Sequence, residues 1–285
     1  MKRTEFRHLE PLRVRWAEID AQGIVFNGHY LTYMDTAISG YWRALALPYA
    51  DTMKLLGGDL FVRRAALDYF ASARYDDRLD IGVRCREFGN SSMKVDGAIF
   101  HGDQMLVQAE MVYVFADPGT QTPVRLPDAL RGLMQDFEAG QPVVDVALGS
   151  WSEHGPAATA IRRQVFIEEQ HIPADMEWDA ADASCLHALA RNRFGLPLAT
   201  GRLLEHVPGV AKIGRMAVLR TMRGTRIGRQ VLEALMAEAR KQGYREVLLH
   251  AQLSAENFYL RAGFQRRGEP FEEAGIGHVE MVRVL

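Results

Sequence analysis

The chain of 285 residues is 48% hydrophobic and 25% charged, a composition that suits folded domains with room for two cores and excludes a disordered chain. Its formal charge of −2 argues against bulk nucleic-acid binding. No apolar run reaches the ~18–20 residues that a membrane-spanning helix needs, so neither nucleic acid nor membrane is expected as a partner.

Taken in chain order, the opening MKRTEFRHLEPLR lacks the apolar core of a secretory signal, and cytoplasmic residence is the expectation. Alternation over Pro11–Trp16 predicts a strand with Leu12, Val14 and Trp16 on one face. A turn-like stretch follows at 18–23. From His29 to about Leu47 an apolar stripe (Leu31, Met34, Ile38, Tyr41, Leu45) recurs at helical steps. Strands are predicted at Leu60–Tyr69, Asp80–Phe88, Ser92–His101 and Gln104–Ala116, the last two meeting at the hairpin signal His101-Gly102-Asp103. One long helix followed by hairpin strands implies an antiparallel sheet wrapped around a helix, with edges that favour dimerisation. Cys85 and Cys185 stand alone, so neither a disulfide framework nor a metal site is expected.

A carboxylate beside unpaired amides combines a base or nucleophile with donors that can stabilise developing negative charge. Asp20, just before a glycine turn, and the unpaired amides of the long helix are groups of those kinds. The stretch Trp16–Tyr30 (WAEIDAQGIVFNGHY), with Met34-Asp35-Thr36-Ala37 and Ala73–Ile81 (ARYDDRLDI), resembles the hotdog-fold thioesterases of the 4-hydroxybenzoyl-CoA thioesterase and YbgC-like type, from about Leu12 to Asp117. The resemblance implies that Asp20 is the catalytic carboxylate, acting as base on water or as direct nucleophile. It implies that the backbone N–H of Asn27 polarises the carbonyl and that Asp35 holds the active loop. Relatives usually carry Tyr or His where Asn27 stands, a change that a backbone donor tolerates. Hotdog relatives place their sites at a dimer interface, so a homodimer or homotetramer through this half is expected.

Between 138 and 155 the periodicity fades and Gly, Pro, Ser and Asp gather, which reads as a linker between domains at 1–137 and 156–285, with a short packed strand at Val143–Leu148 as the alternative that would shift the boundary by several residues. Beyond it, Ala158–Gln170 reads as a helix, and Ser184–Arg191 and Leu198–Glu205 as paired strands. An apolar strand, Ile213–Leu219, then empties through an arginine- and glycine-rich loop into an amphipathic helix. A helix start of that kind is an anion cup, suited to a diphosphate. Arg220, Arg223, Arg226 and Arg229 strengthen its field. A strand at Glu246–Ala251, a short helix at Ala255–Ala262 stopped by Gly263, and two terminal strands close the chain.

Arg223-Gly224-Thr225-Arg226-Ile227-Gly228 resembles the pyrophosphate loop of the GNAT N-acetyltransferases, Gln/Arg-x-x-Gly-x-Gly/Ala, with Arg226 where glycine is commoner. Arg162–Gln170, Glu177-Trp178-Asp179 and Gly275–His278 look like the ElaA-type branch. The resemblance implies that Met216, Ala217 and Val218 pair with the pantetheine arm of acetyl-CoA. It also implies that Asn257 lies near the pantetheine or the sulfur and that Tyr259 protonates the departing thiolate. The base stays open between Glu168, Glu177, His250, His278 and water. Together these readings give an α+β protein, with an N-terminal hotdog domain and a C-terminal GNAT domain of mixed sheet flanked by helices. The expected activity is bifunctional: acyl-CoA hydrolysis, and acetyl transfer to an amine on a small molecule or a protein. The alternative is that one half only senses acyl-CoA or drives oligomerisation. Acetyl-CoA and acyl-CoA enter as co-substrates, with no tightly bound cofactor.

Overall fold

A long helix and five antiparallel strands form the first of two units in the computed structural model, which describes Met1–Leu285. The units divide at Val143/Val144. No helix is long and apolar enough to cross a membrane.

The first unit runs β1 (His8–Arg13), α1 (Asn27–Ala44), α2 (Tyr49–Leu56), β2 (Asp59–Tyr69), β3 (Arg78–Phe88), β4 (Ser92–His101), β5 (Gln104–Ala116) and α3 (Asp128–Glu138). The strand order is β1-β3-β4-β5-β2, antiparallel throughout. The predicted strand Pro11–Trp16 lies three residues earlier, as β1. Glu18 accepts the Arg15 N–H at 2.7 Å and closes a helical turn over Trp16–Glu18, which leaves Trp16 76% exposed. On α1 the buried stripe is Tyr30, Tyr33, Met34, Ala37, Ile38, Tyr41 and Trp42, whereas Leu31 faces outward. The helix ends at Ala44, before Ala46 turns to a positive φ of 58°. Met34 is fully buried, and a Cβ at Gly97 on β4 would fall 1.9 Å from its Cε, so glycine there lets the helix lie on the sheet. Burying a side chain of that size contributes roughly 2–3 kcal/mol. Both sheet edges are open: β1 carries Pro11, while the eleven-residue β2 has no proline and exposes Val62.

The second unit has β6 (Val144–Gly149), α4 (Trp151–Arg162), a wider-pitched continuation at Arg163–Glu169, and the one-turn α5 (Ala174–Glu177). There follow β7 (Leu186–Asn192), β8 (Pro197–Val207), β9 (Val210–Val218), α6 (Ile227–Lys241), β10 (Glu246–Gln252), α7 (Glu256–Arg261), β11 (Gln265–Glu273) and β12 (Ile276–Val284). The seven-stranded sheet has the order β11-β12-β10-β9-β8-β7-β6, antiparallel except for β9 with β10. The span 138–155, read as a linker from its composition, carries β6, which pairs with β7 over six residues, and the start of α4. Ser150 and Glu153 form the capping box that begins α4, twelve helical residues beginning seven positions before the predicted Ala158.

An ion-pair network ties the second unit together. Arg162, 1% exposed, donates from Nε to Glu177 at 2.5 Å and from NH1 to Asp182 at 2.8 Å. Arg202 bonds Asp179 and Asp182, each at 2.7 Å. The Arg202 hydrogen bonds hold the Asp179 carboxyl well below its ordinary range, at about 2. A depressed carboxylate stabilises the fold above its unfolded pKa near 3.8 and loses that contribution as pH falls through the folded value. Glu177, pushed up by burial, has the opposite slope. The urea midpoint of the wild type, followed from pH 5 to pH 2, should therefore fall more steeply than that of Asp179→Asn. Parallel curves would show that the pair adds nothing to folding.

Candidate active sites

In the first unit, Asp20 sits in a loop that turns back on itself just before α1. Its Oδ1 accepts the Gln22 N–H at 2.8 Å and the Ile24 N–H at 3.5 Å, and its own N–H donates to Ile24 O at 2.9 Å. Gly23, with φ of 74°, takes the left-handed corner that glycine favours. One carboxylate oxygen is thus held and oriented, while Oδ2 has no protein donor. The α1 start has no side-chain cap and no acidic residue in its first turn, so the Asn27 amide and its neighbours keep their donor capacity and the positive end of the dipole. Both groups line a cavity of about 650 Å³, with aromatic walls from Phe26, Tyr30, Tyr69 and Phe70. The Tyr69 hydroxyl bonds the Asn27 carbonyl at 3.2 Å, and Tyr30 Oη accepts the Ala73 N–H at 2.8 Å.

Asp35 does not join them. It lies exposed two turns along α1, where helical periodicity turns its side chain to solvent, and its carboxylate holds no hydrogen bond or ion pair within the chain. Within one chain the anchor of the loop is Glu18, which the sequence reading left in an undifferentiated turn. Glu18 is 2% exposed, takes the Tyr33 hydroxyl at 2.6 Å and Arg15 Nε at 2.7 Å, and offers its carbonyl to the Phe26 N–H. Burial pushes its carboxyl up, but the Tyr33 and Arg15 bonds outweigh that and hold it below the ordinary range. The Arg15-x-x-Glu18 spacing was the signal for this turn.

In the second unit, β9 and β10 pair in parallel for three residues only, Val210–Lys212 with Glu246–Leu248, and then diverge. The freed edge of β9 is the wall of a cleft. On the β8 side, β9 carries a bulge at Arg215 and Met216, with Arg215 at φ 51°. Gly201 faces the bulge, and a Cβ there would fall 2.5 Å from the Met216 sulfur. Two cavities open from the cleft, one of about 630 Å³ against the start of α6, the other of about 370 Å³ under α5 and the β11–β12 turn. They share Gln170, Met216, Gln252, Ala255 and Tyr259, so they meet there.

Met216, Val218, Arg223, Gly224, Arg226, Ile227, Gly228 and Asn257 line the larger cavity. Ala217 and Thr225 do not: Ala217 packs inward with Ile161, Val165, Phe166 and Leu189, and Thr225 bonds Met222 O at 2.6 Å. Arg226 takes φ of 68° as the N-cap residue of α6, the left-handed shape that the commoner glycine would supply, and α6 again has no side-chain cap. Two of the four arginines are engaged by carboxylates. Arg223 grips Glu169 through two bonds of 2.6 and 2.7 Å and also bonds Val218 O, which fastens the loop to the segment after α4, while Arg229 pairs with Glu233. Gly224→Asp places a side chain at φ 85° and a negative charge in this cup, and should weaken acetyl-CoA binding at least ~10-fold by calorimetry.

Tyr259 is 7% exposed at the junction of the cavities, wedged edge-on against Phe258 and Phe264, and its hydroxyl has no protein partner. Burial pushes its pKa far up, so it stays protonated. Among the candidate bases, Glu168 lies exposed outside both cavities. Glu177 lines the smaller cavity but is committed to Arg162. His278 bonds Ile276 O through Nδ1 at 2.8 Å, and His250 stands near Lys212 and Glu273.

Residues 22–108 match the thioesterase superfamily, and residues 163–285 match the acetyltransferase (GNAT) domain. The uncharacterized protein YyaT of Bacillus subtilis is 35% identical over 131 residues, 45% of this chain and 87% of its own length. The uncharacterized N-acetyltransferase YjcF of the same organism is 31% identical over 43% of this chain and 87% of its own. The acyl-CoA thioesterase YbgC of Haemophilus influenzae is 25% identical over 42% of this chain and 89% of its own. The chain belongs to the GNAT acetyltransferases through its C-terminal half, and its N-terminal half matches the thioesterase superfamily over residues 22–108.

Proposed function

We propose that the protein is bifunctional, hydrolysing acyl-CoA thioesters in its first half and transferring acetyl from acetyl-CoA to an amine in its second. One observation carries this reading: each half sets an uncapped helix start on a cavity, beside a side chain fit for the chemistry. In the first half the thioester oxygen sits at the Asn27 amide, and Asp20 Oδ2 either draws a proton from water or attacks the carbonyl carbon itself. In the first route the proton taken from water passes to the sulfur as the C–S bond breaks, releasing the acid and the CoA thiol. In the second the C–S bond breaks to leave a mixed anhydride on Asp20 and the CoA thiolate, which gains a proton from the water that hydrolyses the anhydride. In the second half the pyrophosphate rests on the α6 amides, and the neutral amine attacks the acetyl carbon. The C–S bond breaks as the Tyr259 hydroxyl hands its proton to the departing sulfur, and the proton shed by the acylated nitrogen returns through water to the tyrosine. The aromatic walls of the first cavity suit an acyl group with a ring.

The open β2 edge and the apolar rim around Asp20 (Phe26, Tyr69, Phe70) support a dimer through the first half. Asp35 enters the site only through that second copy, because within one chain it faces solvent. A thiol reagent that follows free CoA tests the function. CoA release from an aromatic acyl-CoA without amine, lost in Asp20→Ala, is expected, as is release from acetyl-CoA that needs an amine. If neither release occurs across short, long and aromatic acyl groups, the proposal fails.

A further inference from the structure

The smaller cavity of the second unit has one wall cation, Lys212, with no carboxylate at ion-pair distance. Three arginines and three carboxylates of the network balance: Arg162, Arg202 and Arg215 against Glu177, Asp179 and Asp182, all joined by contacts of 2.5–3.5 Å. Lys212 stands outside it. The ammonium lies on the cavity wall, half-buried, 3.5 Å from His250 Nδ1 and with no carboxylate at ion-pair distance. The rim carboxylate Glu273 is 51% exposed and bonds His250 instead. Burial draws the Lys212 pKa down, helped by like charge on Arg202 and Arg215 and opposed by the more distant carboxylates of Glu273 and Glu280. The Arg202 Nε–H, on the same wall, is buried without an acceptor. Half-buried ammonium groups are ordinarily paired, since an unmatched charge out of water is costly.

We propose that the amine acetylated in this half carries a carboxylate several bonds from its nucleophilic nitrogen, and that Lys212 receives that carboxylate. The proposal rests on the transferase reading of the second half. Lys212 precedes Met216 by four residues on β9, and Met216 lies where the two cavities meet. Four strand residues span up to ~13 Å at about 3.3 Å each. Three of those steps precede the Arg215 bulge and alone span about 10 Å, more than the reach between the amine and the carboxyl of an α-amino acid. A chain of about five carbons, met by the reach of the lysine side chain, bridges the junction and Lys212 within the cavity of about 370 Å³. The neutral network supplies shape without net charge, so the choice between an anionic and a cationic acceptor falls to Lys212.

The test uses the full chain, acetyl-CoA and three primary amines of similar length: 6-aminohexanoate, hexylamine and 1,6-diaminohexane. Wild type should acetylate 6-aminohexanoate with a kcat/KM about tenfold or more above that of hexylamine, the worth of one charge-assisted hydrogen bond. Lys212→Met should erase that advantage through KM rather than kcat, and Lys212→Glu should turn the preference toward the diamine. An unaltered dissociation constant for acetyl-CoA shows that each variant is folded. Equal or better use of hexylamine by wild type, or a carboxylate preference that survives in Lys212→Met, overturns the proposal while leaving the transferase reading in place. Failure to acetylate any of the three amines overturns both.

Discussion

Asp20→Ala is expected to lower acyl-CoA hydrolysis by about 10³-fold, within the range that a positioned acid–base or nucleophilic group supplies. The loop should survive the change. Glu18 still anchors it through Tyr33 and Arg15, the Gly23 N–H still reaches the residue-20 carbonyl at 3.0 Å, and the Ile19–Val25 bridge is backbone. What disappears is the carboxylate with one oxygen held by two amides and the other free toward the cavity. Asp20→Asn sharpens the test, because an amide oxygen can still accept from Gln22 and Ile24 but supplies neither a base nor a nucleophile. It should be as slow as the alanine variant, with KM close to that of wild type. Asparagine activity near that of wild type would show that position 20 only shapes the turn. Both variants should leave amine-dependent acetyl transfer in the second half intact.

Tyr259→Phe is expected to lower kcat for acetyl transfer by about 10²–10³-fold with acetyl-CoA affinity retained, as loss of a general acid predicts. Phenylalanine keeps the ring between Phe258 and Phe264 and removes only the unpartnered hydroxyl at the junction of the cavities. The group is buried, and burial disfavours the phenolate, so the folded pKa lies above the ordinary value of 10. The protonated form that donates is thus present at all pH below that raised value. No alkaline limb from Tyr259 should appear in the kcat profile up to about pH 10. A limb near pH 9 that vanishes in Tyr259→Phe would contradict this environment. A kcat unchanged in the variant would make the tyrosine a packing residue.

Local patterns carried much of this to the surface of the sequence. Strands Ser92–His101 and Gln104–Ala116 have the bounds that alternation and the hairpin signal predict, because hairpin register is a short-range property. The Asp20 turn and the Arg223–Gly228 loop were legible for the same reason, each being a strand or turn feeding a helix start. β6 was legible only as the alternative at Val143–Leu148, since a six-residue strand flanked by glycine and proline carries a loop's composition and is defined by pairing with β7, some forty residues on. The surroundings of Asp35 were not legible, because spacing along a helix gives a face but not what that face meets. The smaller cavity was illegible as a unit: Glu177, Lys212, His250 and Glu273 converge from a short helix and three strands that only the sheet order brings together. Arg226 shows the converse. The sequence offers an arginine where glycine is usual, and the chain gives it the glycine-like φ of 68°.

Calorimetric titration of the intact protein with CoA bears most directly on the claim that both helix starts receive the coenzyme. Two CoA molecules per chain are expected in wild type, and one in Gly224→Asp, the site lost being that at α6. A single site in wild type whose heat disappears in Gly224→Asp would leave the Asp20 cavity without a coenzyme and contradict the claim for the first half. No heat at either place would contradict it for both.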